Sequence, residues 1–372
     1  MNNFYCKRCV LPRSKPGLKF DDEGICSACR SVDKKYQINW RERSDKLMQI
    51  CDEIRNKNKG GYDCIVPVSG GKDGTYQVYL MSKVYKLKTL AVTLQAHVQT
   101  KEGIENLNAL VSSYNCDLLK VIVRPSTLRK MKRIAFFEIG NPNYAEHRVI
   151  FSSVARTALF YNVPLVVWGE DIGFEFGGNI SKSSNDSGSA EDLINNDLFR
   201  ESNFDHFISG RIDKKELFFF EHPDINELKK QNIKSIYLGY FHWWDGYKHY
   251  LISKSTGFKG REKGNLSGNI INYDNIDEKL CEITIWMKFL KLGFWRPHDS
   301  CGYKIWNGYM SRKQAVEYVK EIQYQFPYEY LDEFLDYYQL TKTEFNENLD
   351  KWRNLDLWEK KGNNWRLKYE IS

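Results

Sequence analysis

At 372 residues the chain is too long for one small core, so two or more folded units are expected. A hydrophobic share of 42% and an aromatic share of 15% exclude a mainly disordered protein, and no run approaches the roughly 18 uninterrupted apolar residues of a membrane span. The net charge of +7 suits polyanionic ligands such as ATP or a nucleotide sugar, and it permits RNA without demanding it. Two cysteines and a Lys-Arg pair stand where a signal peptide needs an apolar run, so a soluble, cytoplasmic protein is expected.

Residues 1–35 hold Cys6-Lys7-Arg8-Cys9 and Cys26-Ser27-Ala28-Cys29, two Cys-x-x-Cys pairs with 16 residues between them. Four thiolates at this spacing can close a tetrahedral Zn²⁺ site, and so short a module needs such a staple to fold. Two independent redox pairs are the competing reading, but no thioredoxin-like pattern surrounds them. A site with four cysteine ligands has no open position, which makes a structural role the expectation. The remaining Cys51, Cys64, Cys116, Cys281 and Cys301 read as buried small hydrophobes.

Residues 36–240 follow with an alternating pattern. A charged amphipathic helix from Asn39 to Asn58 carries Trp40, Leu47, Ile50 and Ile54 and stops at Gly60-Gly61. Cys64–Val68 is a short apolar strand, Thr75–Lys86 has helical spacing, and Thr89–Leu94 is a second strand. A helix over Ile104–Ser113, a strand over Leu118–Val123, a helix over Tyr144–Tyr161 and a strand over Pro164–Trp168 complete the series. Such alternation predicts an α/β fold, a parallel sheet wound on both faces. Pro67 cannot donate to a strand ladder, so it is expected to mark a bulge. Gly177–Asn203 shifts to Gly, Ser, Asn and Asp and reads as a lid or a polar insert. Residues 241–372 are expected to be a mostly helical substrate or partner region.

Between the first strand and its helix stands Ser69-Gly70-Gly71-Lys72-Asp73-Gly74-Thr75. Adjacent glycines let the backbone approach phosphates, and the freed N–H groups and dipole of the helix start favour an anion. Lys72 can neutralise charge on leaving pyrophosphate, and Asp73 can help hold Mg²⁺. The lysine follows the glycines directly, unlike the Gly-x-x-x-x-Gly-Lys-Ser/Thr loop of ordinary kinases. The loop resembles the signature of the PP-loop ATP pyrophosphatases (an adenine nucleotide alpha hydrolase-like fold), with Gly74 where that superfamily has serine.

Three further segments resemble the N-acetyl sugar amidotransferases, the PseA and WbpG types of bacterial surface-glycan biosynthesis. They are the cysteine module from Cys6 to Cys29, the aromatic stretch Tyr237–Tyr247, and Lys291-Leu292-Gly293-Phe294-Trp295-Arg296-Pro297-His298-Asp299. The resemblance spans residues 4–330. It implies that ATP adenylates an acetamido oxygen and ammonia then replaces AMP, giving an acetamidino sugar for lipopolysaccharide O-antigen or flagellin glycan (pseudaminic acid) synthesis.

For that chemistry Ser69, Gly70, Gly71, Lys72, Asp73, Gly74 and Thr75 are expected at the pyrophosphate and Mg²⁺. Gln95 and His97 are expected to border the adenine, and Glu170 to contact metal or adenylated substrate. Arg296 and Asp299 match family positions, and the arginine fork suits a phosphate or sugar carboxylate. His242 and Trp243 are candidates for the sugar. No glutaminase nucleophile is evident, so the resemblance implies a separate glutaminase subunit supplying ammonia, with a cyclase-like subunit beside it. The substrate is expected to be a nucleotide sugar or a nine-carbon sugar. A tRNA thiolase using the same adenylation is the competing reading, kept open by the basic run Arg129–Arg133, though such a run is usually a solvated helix face.

Overall fold

Branched residues that alternate faces along short strands need cover on both sides, and the chain supplies it with helices. A computed structural model describes residues 4–58, 60–177, 187–190 and 210–372. Helices α1 (Ser27–Lys35) and α2 (Trp40–Lys57) lead into strand β1 (Cys64–Pro67), the loop, and α3 (Lys72–Tyr79), which passes into a π-helical turn at Leu80–Val84. Then come β2 (Thr89–Leu94), α4 (Lys101–Tyr114), β3 (Asp117–Val121), α5 (Pro125–Glu138), α6 (Tyr144–Tyr161) and β4 (Leu165–Trp168). Next are α7 (Ile172–Phe176), α8 (Ile225–Lys230), β5 (Lys234–Tyr237), α9 (Leu238–Phe241) and α10 (Gly246–Lys254).

The five strands pair in the order β3-β2-β1-β4-β5, all parallel. Val66 and Val68 face a core shared with Leu47 of α2, Val78 of α3 and Leu107 of α4, whereas Ile65 packs on the other face with Val154 and Ala158 of α6. β5 and α5 were not anticipated. The β1–β2 register runs unbroken from Cys64↔Thr89 to Pro67↔Val92, so Pro67 marks no bulge. Val68 N–H donates to Val92 O on the β2 side. The donor that Pro67 lacks therefore faces β4, whose pairing with β1 is registered at Ile65↔Val166.

The C-terminal region packs α11 (Cys281–Leu292), α12 (Arg296–Trp306), α13 (Arg312–Ile322), α14 (Leu331–Tyr338) and α15 (Lys342–Lys351), as the helical expectation required. It closes with an unforeseen antiparallel hairpin, β6 (Trp358–Lys361) and β7 (Asn364–Leu367). Met287, Phe289 and Leu290 of α11 bury against Phe334 and Tyr338 of α14 and Phe136 of α5. The cysteine module packs on Phe294 and Trp306. The polar Gly177–Asn203 stretch lies almost wholly outside the described residues. Among the described residues no helix is long and apolar enough to cross a membrane.

Candidate active site

In this strand order the chain leaves β1 toward β2 on one side and returns to β4 on the other, and ligands of open parallel sheets bind where the winding reverses. The Ser69–Thr75 loop follows β1 and Glu170 follows β4, which places both at this crevice. Gly70 has φ +96°, and a Cβ there would stand 2.5 Å from Gly103 O, so only glycine fits. At Gly74, where the signature that this loop resembles has serine, a Cβ would come within 3.2 Å of Val68 Cα, so a side chain there would need the end of β1 to shift slightly. Thr75 does not substitute for that serine as an open donor. It is buried, and its hydroxyl donates to Gly71 O at 3.0 Å.

Lys72 Nζ sits between Asp73 Oδ2 at 2.8 Å and Asp274 Oδ1 at 2.5 Å. Burial works against its charge, but Asp274 and Asp73 outweigh it and raise the lysine above its ordinary range. Burial likewise opposes the Asp73 carboxylate, yet Lys72 and His249 hold it below its usual value. His249 is buried, stacked on Tyr76 with 3.9 Å between ring centres. Its Nδ1 lies 2.7 Å from Asp73 Oδ1, and its Nε2 receives the Asp245 N–H at 3.4 Å. This assigns the proton to Nδ1 of a neutral ring, in keeping with burial lowering its pKa. Ser69 donates to Asp277, whose carboxyl is raised chiefly by burial.

A cavity of about 560 Å³ brings together Ser69, Gly71, Lys72, Asp73 and Gly74 with Glu170, Arg296 and Asp299. Burial and then Asp73 push Glu170 up to about 7, a value at which a carboxyl both takes and gives protons near neutrality. Arg296 stands at the start of α12, and Asp299 in its first turn pairs with Lys288 of α11 at 2.5 Å. Asp274, Asp277, Tyr303, Lys288 and Lys15 also line the cavity and had not been singled out from the sequence.

Gln95, His97, His242 and Trp243 do not line it. His97 Nδ1 meets the Tyr337 hydroxyl at 3.0 Å, beside α5 and α14. His242 Nε2 meets Tyr85 OH at 2.6 Å, and burial lowers its pKa to about 4, which makes it a neutral packing residue. Trp243 donates to Asn307 Oδ1, a wall residue, and packs its ring on Tyr36 and Trp40. Gln95 N–H is taken by Val121 O at the end of β3.

The sulfurs of Cys6, Cys9, Cys26 and Cys29 are buried and lie within 4.8 Å of one another, with Cys6–Cys29 at 3.9 Å and Cys9–Cys26 at 3.6 Å. A single tetrahedral ion with metal–sulfur bonds near 2.3 Å sets sulfurs roughly 3.8 Å apart, so the donor set fits one metal ion. Trp306 Nε1 donates to Cys29 Sγ, and Arg312 Nε to the carbonyls of Cys6 and Cys9, tying the site to α12 and α13.

Sheet order, loop and cavity define an open parallel α/β protein whose glycine loop, similar to a PP-loop, stands where the winding reverses. Residues 256–371 match the family model described as LPS biosynthesis protein WbpG-like, C-terminal domain. An uncharacterized protein of Methanocaldococcus jannaschii is 30% identical over 170 residues, covering 45% of this chain and 60% of its own length. The glutamine-hydrolyzing GMP synthase of Pyrobaculum aerophilum is 33% identical over 97 residues, covering 26% and 19%. The chain thus spans less than two thirds of either relative. Among solved structures, NMN synthetase from Francisella tularensis superposes with a TM-score of 0.30 at 16% identity over 52% of this chain and 96% of that one. The U34-tRNA thiolase NcsA from Methanococcus maripaludis gives 0.29 at 14% identity over 86% and 97%. Likenesses this distant add nothing to the strand order described above.

Proposed function

We propose that this protein is an ATP-dependent amidotransferase that adenylates the acetamido oxygen of an N-acetylated sugar and replaces it with ammonia. The observation that carries this reading is a single cavity shared by the glycine loop and the Arg296–Asp299 segment. An amide oxygen is a poor leaving group. Transfer of AMP to it, with release of pyrophosphate, makes an imidate from which AMP departs when ammonia attacks the carbon. The loop N–H groups and Lys72 would take the pyrophosphate charge, and Asp73 and Asp274 are the acids that would hold Mg²⁺ beside it. Bound Mg²⁺ would neutralise phosphate charge. Glu170, near its titration point at neutral pH, would accept the proton that the attacking nitrogen loses. Zn²⁺ is the ion we assign to the four cysteines, in a structural role. A separate glutaminase, accompanied by a cyclase-like subunit, would supply the ammonia.

Thiolases commonly need a further pair of reactive cysteines in the catalytic domain. Cys51, Cys64, Cys116, Cys281 and Cys301 do not line the cavity, and burial raises the thiol pKa of each, opposite to what a sulfur nucleophile needs. The test is AMP and pyrophosphate release from ATP, Mg²⁺, ammonium and a panel of acetamido nucleotide sugars and free nine-carbon acetamido sugars. No AMP from any of them, together with tight tRNA binding, would overturn the proposal.

A further inference from the structure

The charges lining the cavity are unevenly matched. At the glycine loop Lys72 is already held by Asp73 and Asp274. On the α11–α12 wall four cations converge: Lys15 from the cysteine module, Lys288 from α11, and Arg296 and Lys304 from α12. The ammonium groups of Lys15 and Lys288 both lie over the Phe294 ring, 5.2 and 4.4 Å from its centre. Asp299 satisfies Lys288. Glu282 lies 3.7 Å from Arg296 Nε, yet that buried nitrogen has no hydrogen-bond partner. Asp299 also acts on Lys15, but its ion pair is with Lys288, and among the described residues neither Lys15 nor Lys304 has a carboxylate at ion-pair distance. Crowded like charges in a half-buried pocket repel one another unless an anion joins them.

We propose that Lys15, Arg296 and Lys304 form an anion subsite, distinct from the glycine loop, that holds the carboxylate or diphosphate of the sugar substrate. This rests on the sugar amidotransferase reading and specifies what the sugar must carry. The arginine fork matches two oxygens of either group, and the lysines add point charge around it. Burial lowers the Lys15 ammonium below its ordinary value despite partial relief from Asp299, a remaining cost that a bound anion would reduce. The cysteine module then contributes a side chain to substrate recognition as well as a metal staple.

The test is calorimetric titration of the metal-loaded full chain with UDP-N-acetylglucosamine, which offers a diphosphate, and N-acetylneuraminate, which offers a carboxylate. α,β-Methylene-ATP serves as the nucleotide control. We expect the wild type to bind one of the two sugars, identifying which anion is read. Lys15→Ala and Lys304→Ala should each weaken that sugar at least tenfold and leave α,β-methylene-ATP unchanged, with Lys15→Arg restoring most of the loss. Unaltered metal content in each variant shows that the module has folded. The subsite is refuted if neither sugar binds, if Lys15→Ala leaves sugar binding unchanged, or if α,β-methylene-ATP weakens by the same factor. Failure of the enzymatic reading looks different: lysine-dependent sugar binding without any AMP release would leave the subsite standing.

Discussion

Replacing Glu170 by glutamine should make the protein more stable at pH 8 and less active. The carboxyl lies beside Asp73, Glu175 and Tyr303, with Lys72 giving partial relief, and burial is the largest cause of its rise from 4.5 to about 7. The unfolded chain ionises near the lower value and the folded chain near the higher. Between the two the folded state holds more proton, so stability falls as pH rises through this window. A tenfold change in proton affinity is worth about 1.4 kcal/mol, which sets the penalty at pH 8 at roughly 2–3 kcal/mol, the lower figure allowing for partial solvent contact. Glutamine keeps the shape without the charge. Urea unfolding of the nucleotide-free protein should therefore show Glu170→Gln more stable by about that amount at pH 8 and nearly equal to wild type at pH 5. AMP formation should fall at both pH values. Equal stability shifts at pH 5 and pH 8, or a variant weaker than wild type at pH 8, would refute the placement of this carboxyl.

Lys72→Ala should cut AMP release about a hundredfold or more, and surviving activity would remove the lysine from its assigned role. Gly70→Ala must place a methyl group against Gly103 O in a left-handed backbone, so nucleotide binding measured by titration should be lost, with stability lowered by at least about 1 kcal/mol. Cys29→Ser should lower metal content, measured by elemental analysis, and expose the α12 region to protease through loss of the Trp306 contact. Lys132→Met leaves Glu146, 2.8 Å from the lysine, and nearby Glu278 buried without their cation, so thermal unfolding should report a loss of about 3–5 kcal/mol.

Local chemistry made much of this protein readable. Strand, double glycine and helix stand in one unbroken stretch, and each cysteine pair spans four residues, so neither required knowledge of a distant partner. The mistakes fall where distant residues decide. Lys132 belongs to a basic run that reads as a solvated face, yet it is 2% exposed because Glu146 and Glu278 close over it. His97 follows β2 as an adenine-side residue would, but Tyr337 of α14 captures its ring. Asp274 and His249, which complete the lysine and aspartate of the loop, come from positions roughly two hundred residues away with no motif to announce them. β5 has only four residues, of which Ile236 alone is buried, and offers no periodicity. The β6–β7 hairpin did carry a signal, a Gly362-Asn363 pair between two short runs that a two-residue turn favours.

The ring of Phe4 stacks on Tyr369 with 4.1 Å between centres, and the Tyr5 hydroxyl donates to Tyr369 O across 364 residues. Val10 shares a core with Ile371, and Trp306 reaches Cys29 from 277 residues away. The cysteine module is thus synthesised well before the surfaces that bury it. Until those surfaces follow, a bound metal would be what holds its four thiols together. Docking of the module then rests on contacts between segments far apart in sequence, which form slowly, and it brings Lys15 to the cavity wall. Loss of the metal should accordingly separate Lys15 from the α12 wall while leaving the sheet and its glycine loop in place.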